Sequence, residues 1–414
     1  MAYRPVFNTH PTMKNAVFVF ALLIPALRAE TTFIPWSYTE KDLFPSAIIS
    51  TATVDWNGDE QNAEDKKTED DAELEEGEIP LYGDENGWLG VQLSGLSEGA
   101  EVEIEVSVDG FMKSSKWKGT IDVITEDGEA HVFPKGLWNY AALHKVNQQQ
   151  PVNATFKVSV DGEELDEQNE TCIIKSINDC PFYVLLDEEG EDIEDFSWLF
   201  ASYVNENHPW VDGILKEAIK SGLVDSFTGY QSEDPEEVMM QVFAIWNVLQ
   251  RKGIKYSDIS TTTPSKFVVS QTVRFLDQSI EATQANCVDG SVLMASILQK
   301  IGINSYLVMV PGHCFLAFDT GNGEDDVTIG LETTMLGNDD LEPVSDLENL
   351  PEKKLIKGFE ASYTTFSNAI DTGCASLEEH AEAFEDASDP DIQLISIKDA
   401  RELGIAPIAF GVKD

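Results

Sequence analysis

The sequence predicts a multi-domain chain, with an antiparallel β-sandwich in its first half and an α+β domain in its second. Three observations predict it. Between Gly87 and about Lys175, short runs alternate apolar and polar residues with a period of two, separated by Gly, Asp and Ser turns. From about Pro181 the apolar spacing becomes helical. Between Asn286 and Thr334 a helix-patterned run is followed by three strand-like runs, the order of an α+β arrangement.

At the N-terminus, Lys14 precedes the apolar run Ala16–Leu27, and Ala29 follows as a small residue suited to cleavage. This pattern predicts an export signal over residues 1–29, with Met13 as the more usual start. The run has 12 residues, against the roughly 20 that a spanning helix needs, so no stable membrane anchor is expected. Export would place the protein in a periplasm, cell envelope or extracellular space, where cysteines oxidise. The chain has five, an odd number that leaves at least one thiol unpaired. Cys172 and Cys180 are the expected couple, and Cys314 with Cys374 is a second candidate pair.

With 414 residues, 42% of them hydrophobic, the chain can bury a sizeable core. Its formal net charge of −48 repels phosphate backbones and anionic membrane surfaces, which excludes nucleic acid as a partner class. The charge reads as a solvating exterior.

In the first half, "PSAIISTATVDW" (Pro45–Trp56) is expected as a strand, followed by a disordered acidic loop over 57–79. The runs "WLGVQLSG", "EVEIEVSVDG", "IDVITEDGEA", "NATFKVSVDG" and "TCIIKSI" supply the strands of a sandwich over 30–180, of immunoglobulin-like type. "SVDG" occurs twice, at Ser107–Gly110 and Ser159–Gly162, and reads as two hairpin turns. His131 and His144 are isolated, as expected for surface or packing residues.

The second half, 181–414, opens with helical patterns in "DFSWLFASYVNENHPWVDGILKEAI" and "DPEEVMMQVFAIWNVLQRKGIKYSD", the latter stopped by Gly253. "NCVDGSVLMASILQKIG" is a helix headed by Asn286 and Cys287 and stopped by Gly302. Strands "SYLVMV", "HCFLAF" and "VTIGLETT" follow, and two short helices, "SLEEHAEAFEDA" and "IKDARELGI", complete the chain. Asp319–Asp326 has glycines at calcium-ligand positions and reads as a hairpin turn. His208 and His380 lack zinc spacing, so neither metal nor other cofactor is expected.

The chemistry-bearing residues lie in this half. At a helix N-terminus the unpaired N–H groups and the positive dipole end favour a thiolate, which makes Cys287 the candidate nucleophile. Such a sulfur needs a base, and the base needs a group that fixes its tautomer. His313 opens the second strand. Alternation puts His313, Phe315 and Ala317 on one face and turns Cys314 away from the site. Glu332, between Leu331 and Thr333 in an otherwise uncharged strand, is costly to bury without a partner, and a histidine on the adjacent strand supplies one. The Cys287 N–H is a candidate oxyanion donor and Gln284 a second. Asp289 is assigned to supporting the first helical turn and Thr333 to bracing the strand.

The runs "QVFAIWNVLQRKGIKYSD", "NCVDGSVLMASILQKIGINSYLVMVPGHCFLAF" and "IGLETTML" together resemble the transglutaminase-like superfamily over about Val242 to Leu336, a quarter of the chain. The resemblance implies a papain-like triad with Cys287 as nucleophile, His313 as base and Glu332, where Asp is usual, as orienter. With the export signal expected from the N-terminus, it implies an exported cysteine hydrolase or acyltransferase that acts on amide bonds of protein or peptide through a thioacyl intermediate. A second reading stands beside it: a catalytically inactive protein of the same fold, serving in binding or in the architecture of a cell envelope.

Overall fold

The computed structural model describes residues 30–54, 79–186, 193–258, 265–323, 327–338, 340–342, 358–385 and 392–408. The export signal expected over 1–29 lies outside them, as does the acidic loop over 57–79 except for its last residue. The chain is mixed α/β, with several antiparallel sheets. Among the described residues no helix is long and apolar enough to cross a membrane.

The first half builds two sheets. One has four strands in the order Thr32–Trp36, Gly90–Ser94, Ala130–Phe133, Leu81–Gly83. The other is centred on three long antiparallel strands, Gln150–Val160, Ala100–Val108 and Met112–Ile121. Period-two alternation decides which side of Ala100–Val108 is covered: Val102, Ile104, Val106 and Val108 are buried. Between them, Glu103 and Glu105 face out and meet Lys118 and Lys116 across the pair, at 3.5 and 2.9 Å. Both "SVDG" segments are hairpin turns, with Gly110 and Gly162 at φ of 78° and 81°, a region that favours glycine.

Three readings of local structure are corrected. Pro45–Ser50 is a short helix, not a strand. Proline at its first turn presets the helical φ, and Ala47 and Ile48 turn into the core. "IDVITEDGEA" forms no strand of its own; Ile121 ends one strand, Ala130 begins another, and Gly128 turns the chain between them. No disulfide forms among the five cysteines. Cys172 and Cys180 lie fully buried on separate strands, Cys172 opposite Val152 and Cys180 opposite Gln271, and burial pushes both thiols up. Cys314 and Cys374 are likewise free.

Strand Asp179–Leu185 runs across residue 180 and pairs antiparallel with Val268–Thr272, so the two halves of the chain are joined by one continuous apolar core. In the second half, helix Pro235–Arg251 buries Val242, Phe243, Ile245, Trp246 and Leu249, and Trp246 Nε1 donates to Thr365 Oγ1 at 2.9 Å. A four-stranded antiparallel sheet follows the order Thr328–Leu331, His313–Asp319, Ser305–Val310, Gln393–Ser396. Helix Cys287–Lys300 contributes Val292, Leu293, Ile297 and Leu298 to the core it shares with Cys314, Leu316 and Phe318. Phe315 and Ala317 fill a smaller cluster with Val308, Val310 and Phe384. Helix Glu360–Glu379 packs against Thr328–Leu331 at a glycine pair: a Cβ on Gly330 would lie 2.2 Å from the Gly373 backbone.

Candidate active site

Asn286 answers why a polar residue heads the cysteine helix. Its side chain accepts from the Asp289 N–H at 2.8 Å, while the Asp289 carboxylate accepts from the Asn286 N–H at 3.1 Å. This reciprocal cap satisfies first-turn donors and fixes the backbone on either side of Cys287. Asp289 is fully enclosed and also receives the Arg274 N–H at 2.7 Å and its guanidinium at 2.9 Å. Burial raises the Asp289 carboxyl above its ordinary value, against the Arg274 and Asn286 hydrogen bonds that favour its charge. The expected supporting role of Asp289 thus includes a partner, Arg274, that nothing in the local sequence around Cys287 announces.

His313 is the first residue of its strand, directly after Gly312, whose φ of 72° makes the turn from Val310. Its Nε2 lies 2.7 Å from Oε2 of Glu332. The strand that leads to Glu332 ends at Leu331, three residues short of the extent expected from sequence, and Glu332 caps a 3-10 turn over Thr333–Met335. Its other oxygen is held by Thr334, from N at 3.0 Å and Oγ1 at 2.6 Å. Both carboxylate oxygens are therefore partnered in a side chain only 6% exposed. Burial opposes ionisation of Glu332, and the His313 and Thr334 hydrogen bonds outweigh it, so its carboxyl sits below the ordinary value.

Cys287 is half-buried and lines the same cavity as the His313 ring, close enough to raise the proton affinity of the imidazole. Glu332 occupies Nε2, so Nδ1 is the remaining ring nitrogen. The His313 imidazole is raised to about 10, first by the hydrogen bond with Cys287 and then by that with Glu332, against partial desolvation. The structure thus brings the sulfur and the imidazole to one cavity and hydrogen-bonds the imidazole to the carboxylate.

The surroundings hold these groups in place. The Cys287 carbonyl accepts from Ser291 Oγ at 2.8 Å and from Thr333 Oγ1 at 3.5 Å. Gly290 makes room for Thr333, since a Cβ there would lie 2.8 Å from its Oγ1. Thr333 therefore ties the Glu332 turn to the cysteine helix. Tyr256 pairs in register with Ala285, and its hydroxyl is raised by burial and by the nearby charges of Cys287, Asp258 and Glu332.

Two expectations about neighbouring residues change. Cys314 does not point away from the site: the cysteine helix packs on the Cys314, Leu316 and Phe318 face, and Cys314 joins Cys287 in lining one cavity. His313 reaches the same place because it stands at the strand's end, at the turn. Gln284 is exposed in a two-residue strand beside Lys255 and does not line that cavity; the side-chain amide there belongs to Gln271. Gln271 lies in the strand "VVSQT", where an alternating polar residue carries no signal of a site.

Other features play no part in this chemistry. His131 stacks on Trp36 with ring centroids 4.0 Å apart, and burial lowers it to about 4, so it is a neutral packing residue. A larger cavity of about 310 Å³ lies by the buried Lys175–Asp42 pair and contains neither a thiol nor an imidazole. Among the described residues no cluster of His, Cys, Asp and Glu is arranged to hold a metal ion. No protein-family model matches the sequence, and comparison with curated proteins gives no match.

Proposed function

We propose that the chain is an exported cysteine acyl hydrolase or acyltransferase of transglutaminase-like type, acting on amide bonds of protein or peptide. In this reading an immunoglobulin-like sandwich over 30–180 precedes the catalytic part. The observation that carries the proposal is the 2.7 Å His313–Glu332 contact, with Cys287 lining the same cavity as that imidazole. That order of nucleophile, base and orienter is what a thiol needs to attack a carbonyl.

In the proposed reaction the Cys287 proton passes to His313, and the sulfur attacks the amide carbonyl carbon. The Cys287 N–H at the helix start and the Gln271 amide are the proposed donors to the oxyanion. Collapse breaks the C–N bond, His313 returns its proton to the departing amine, and a thioester remains on Cys287. Water or an amine, deprotonated by His313, then attacks the thioester and releases the thiol. Hydrolysis is the proposed outcome, because water is the acceptor present everywhere.

The test is alkylation of the purified mature protein by iodoacetamide at mildly acidic pH, with peptide mapping of the labelled thiol. Labelling is expected at Cys287, faster than for a free thiol, and strongly reduced in His313→Ala. A rate at Cys287 equal to that of a free thiol and indifferent to His313 removes the enzyme reading and favours the binding or structural alternative.

A further inference from the structure

The sulfur of Cys287 opens onto a cavity of about 160 Å³. Its walls come from distant parts of the chain. Phe182 belongs to strand Asp179–Leu185 and Phe200 to the 3-10 helix Ser197–Tyr203, with ring centroids 5.8 Å apart. Met309 and Val310 come from the hairpin that presents His313, and Val288 from the cysteine helix itself. No residue lining the cavity is Asp, Glu, Lys or Arg. In a chain of net charge −48, a cavity whose only ionisable groups are Tyr183, two thiols and the imidazole stands apart from the rest of the surface.

We infer that this cavity is the subsite for the acyl portion of the substrate, and that it takes one uncharged apolar group about the size of a benzene ring: an aromatic or branched aliphatic side chain next to the scissile carbonyl. The inference rests on Cys287 being the nucleophile proposed above. Size supports it, because an apolar cavity of about 150 Å³ accommodates benzene. Chemistry supports it as well. Aromatic and aliphatic walls reward an apolar group for leaving water, whereas a carboxylate or ammonium would lose its hydration with no countercharge to receive it. Gln271, Ser197 and Tyr183 are the polar lining residues outside the reacting centre. Ser197 Oγ is engaged with Asp195 at 3.1 Å, and Gln271 Nε2 gives one hydrogen to the Thr272 carbonyl at 3.4 Å and keeps its second to orient the adjoining carbonyl.

Peptidyl acyloxymethyl ketones test this, since the sulfur displaces a carboxylate from the ketone's methylene and the adduct keeps the acyl side of the probe. A series that differs only in the side chain beside the ketone (benzyl, isobutyl, methyl, carboxymethyl, aminobutyl) is compared for the rate of Cys287 labelling, with iodoacetamide as a reagent that needs no subsite. Benzyl and isobutyl probes are expected to react about 10-fold or more faster than methyl, and the charged probes slowest, as a methylene in an apolar pocket is worth roughly 10–200-fold. Met309→Trp, which fills the cavity from its lip, should collapse the benzyl-to-methyl ratio. Equal rates across the series, or preference for a charged probe, with iodoacetamide labelling still fast and dependent on His313, overturn the subsite and leave the nucleophile standing. Loss of His313 dependence with iodoacetamide removes the underlying reading, and this inference with it. An unchanged benzyl-to-methyl ratio in Met309→Trp also overturns the assignment of this cavity.

Discussion

Nε2 of His313 and Oε2 of Glu332 lie 2.7 Å apart, although one residue begins a strand and the other follows the end of the neighbouring one. The two strands are antiparallel, with Leu316 opposite Leu331, so the start of the first and the exit of the second fall at the same edge of the sheet. A glutamate just past the strand end gains the reach of its extra methylene, and Thr334 holds the oxygen that does not meet the histidine.

Replacing Glu332 with Gln keeps the shape and removes the charge. Removing that anion lowers the affinity of His313 for its proton, so the basic limb of Cys287 alkylation should lie at lower pH than in the wild type. Amide hydrolysis should fall by roughly 10²–10⁴-fold, as expected when an orienting carboxylate is neutralised. A pH–rate profile of alkylation, read with peptide mapping, checks the first statement. An unshifted limb would contradict it.

The same pair makes stability depend on pH in a window set by two opposite shifts. His313 is raised from 6.5 to about 10, so its contribution is fully present below 6.5 and is lost as pH rises through about 10. Glu332 is lowered from 4.5, so its contribution is present above 4.5 and is lost as pH falls through the depressed value. The difference in thermal midpoint between wild type and Glu332→Gln should therefore be greatest between pH 4.5 and 6.5 and shrink on both sides. Differential scanning fluorimetry across pH 3–11 measures it; a difference that stays flat across that range would oppose the assignment.

Beneath the cysteine helix, Asp289 should matter more to stability than Asn286. Asp289→Ala removes the charge-assisted bonds to Arg274 and opens the cap, a loss of about 1.5–3 kcal/mol or more. Asn286→Ala removes one capping acceptor, worth about 1 kcal/mol. Urea unfolding of the two variants should keep that order, and equal midpoints would show that the Arg274 pair contributes little.

Gly330→Ala tests how the last long helix is seated. Its Cβ would lie 2.2 Å from the backbone of Gly373, an overlap that no rotamer relieves, so helix Glu360–Glu379 has to move off the strand. A loss of about 1–3 kcal/mol or more is expected, seen as a lower thermal midpoint. Because that strand leads directly into Glu332, whose N–H donates to Ala369 on the same helix at 2.9 Å, Cys287 alkylation should slow as well.

How much of this was legible in the chain varies with the range of the forces involved. Alternation in "EVEIEVSVDG" and "NATFKVSVDG" placed two long strands, because side-chain period follows from backbone geometry alone. The "SVDG" turns and the Gly302 stop were legible for a similar local reason. Pro45–Ser50 misled because β-branched residues suggest a strand, whereas proline and the packing of Ala47 and Ile48 make a helix. Asp179–Leu185 and Val268–Thr272 were overlooked because each finds its partner more than 80 residues away.

The sequence by itself determined that Cys287 heads a capped helix, that His313 opens a strand and that Glu332 is a carboxylate in need of a partner. Each follows from periodicity, capping chemistry and the cost of burying a charge. Only the tertiary structure decided that His313 meets Glu332 and shares a cavity with Cys287, that Cys314 faces the cysteine helix, that Arg274 pairs with Asp289 and that Phe182, Phe200 and Gln271 wall the cavity. Those facts depend on which sheet edge meets which helix end, and that is set by contacts between residues far apart in the chain, which no local pattern records.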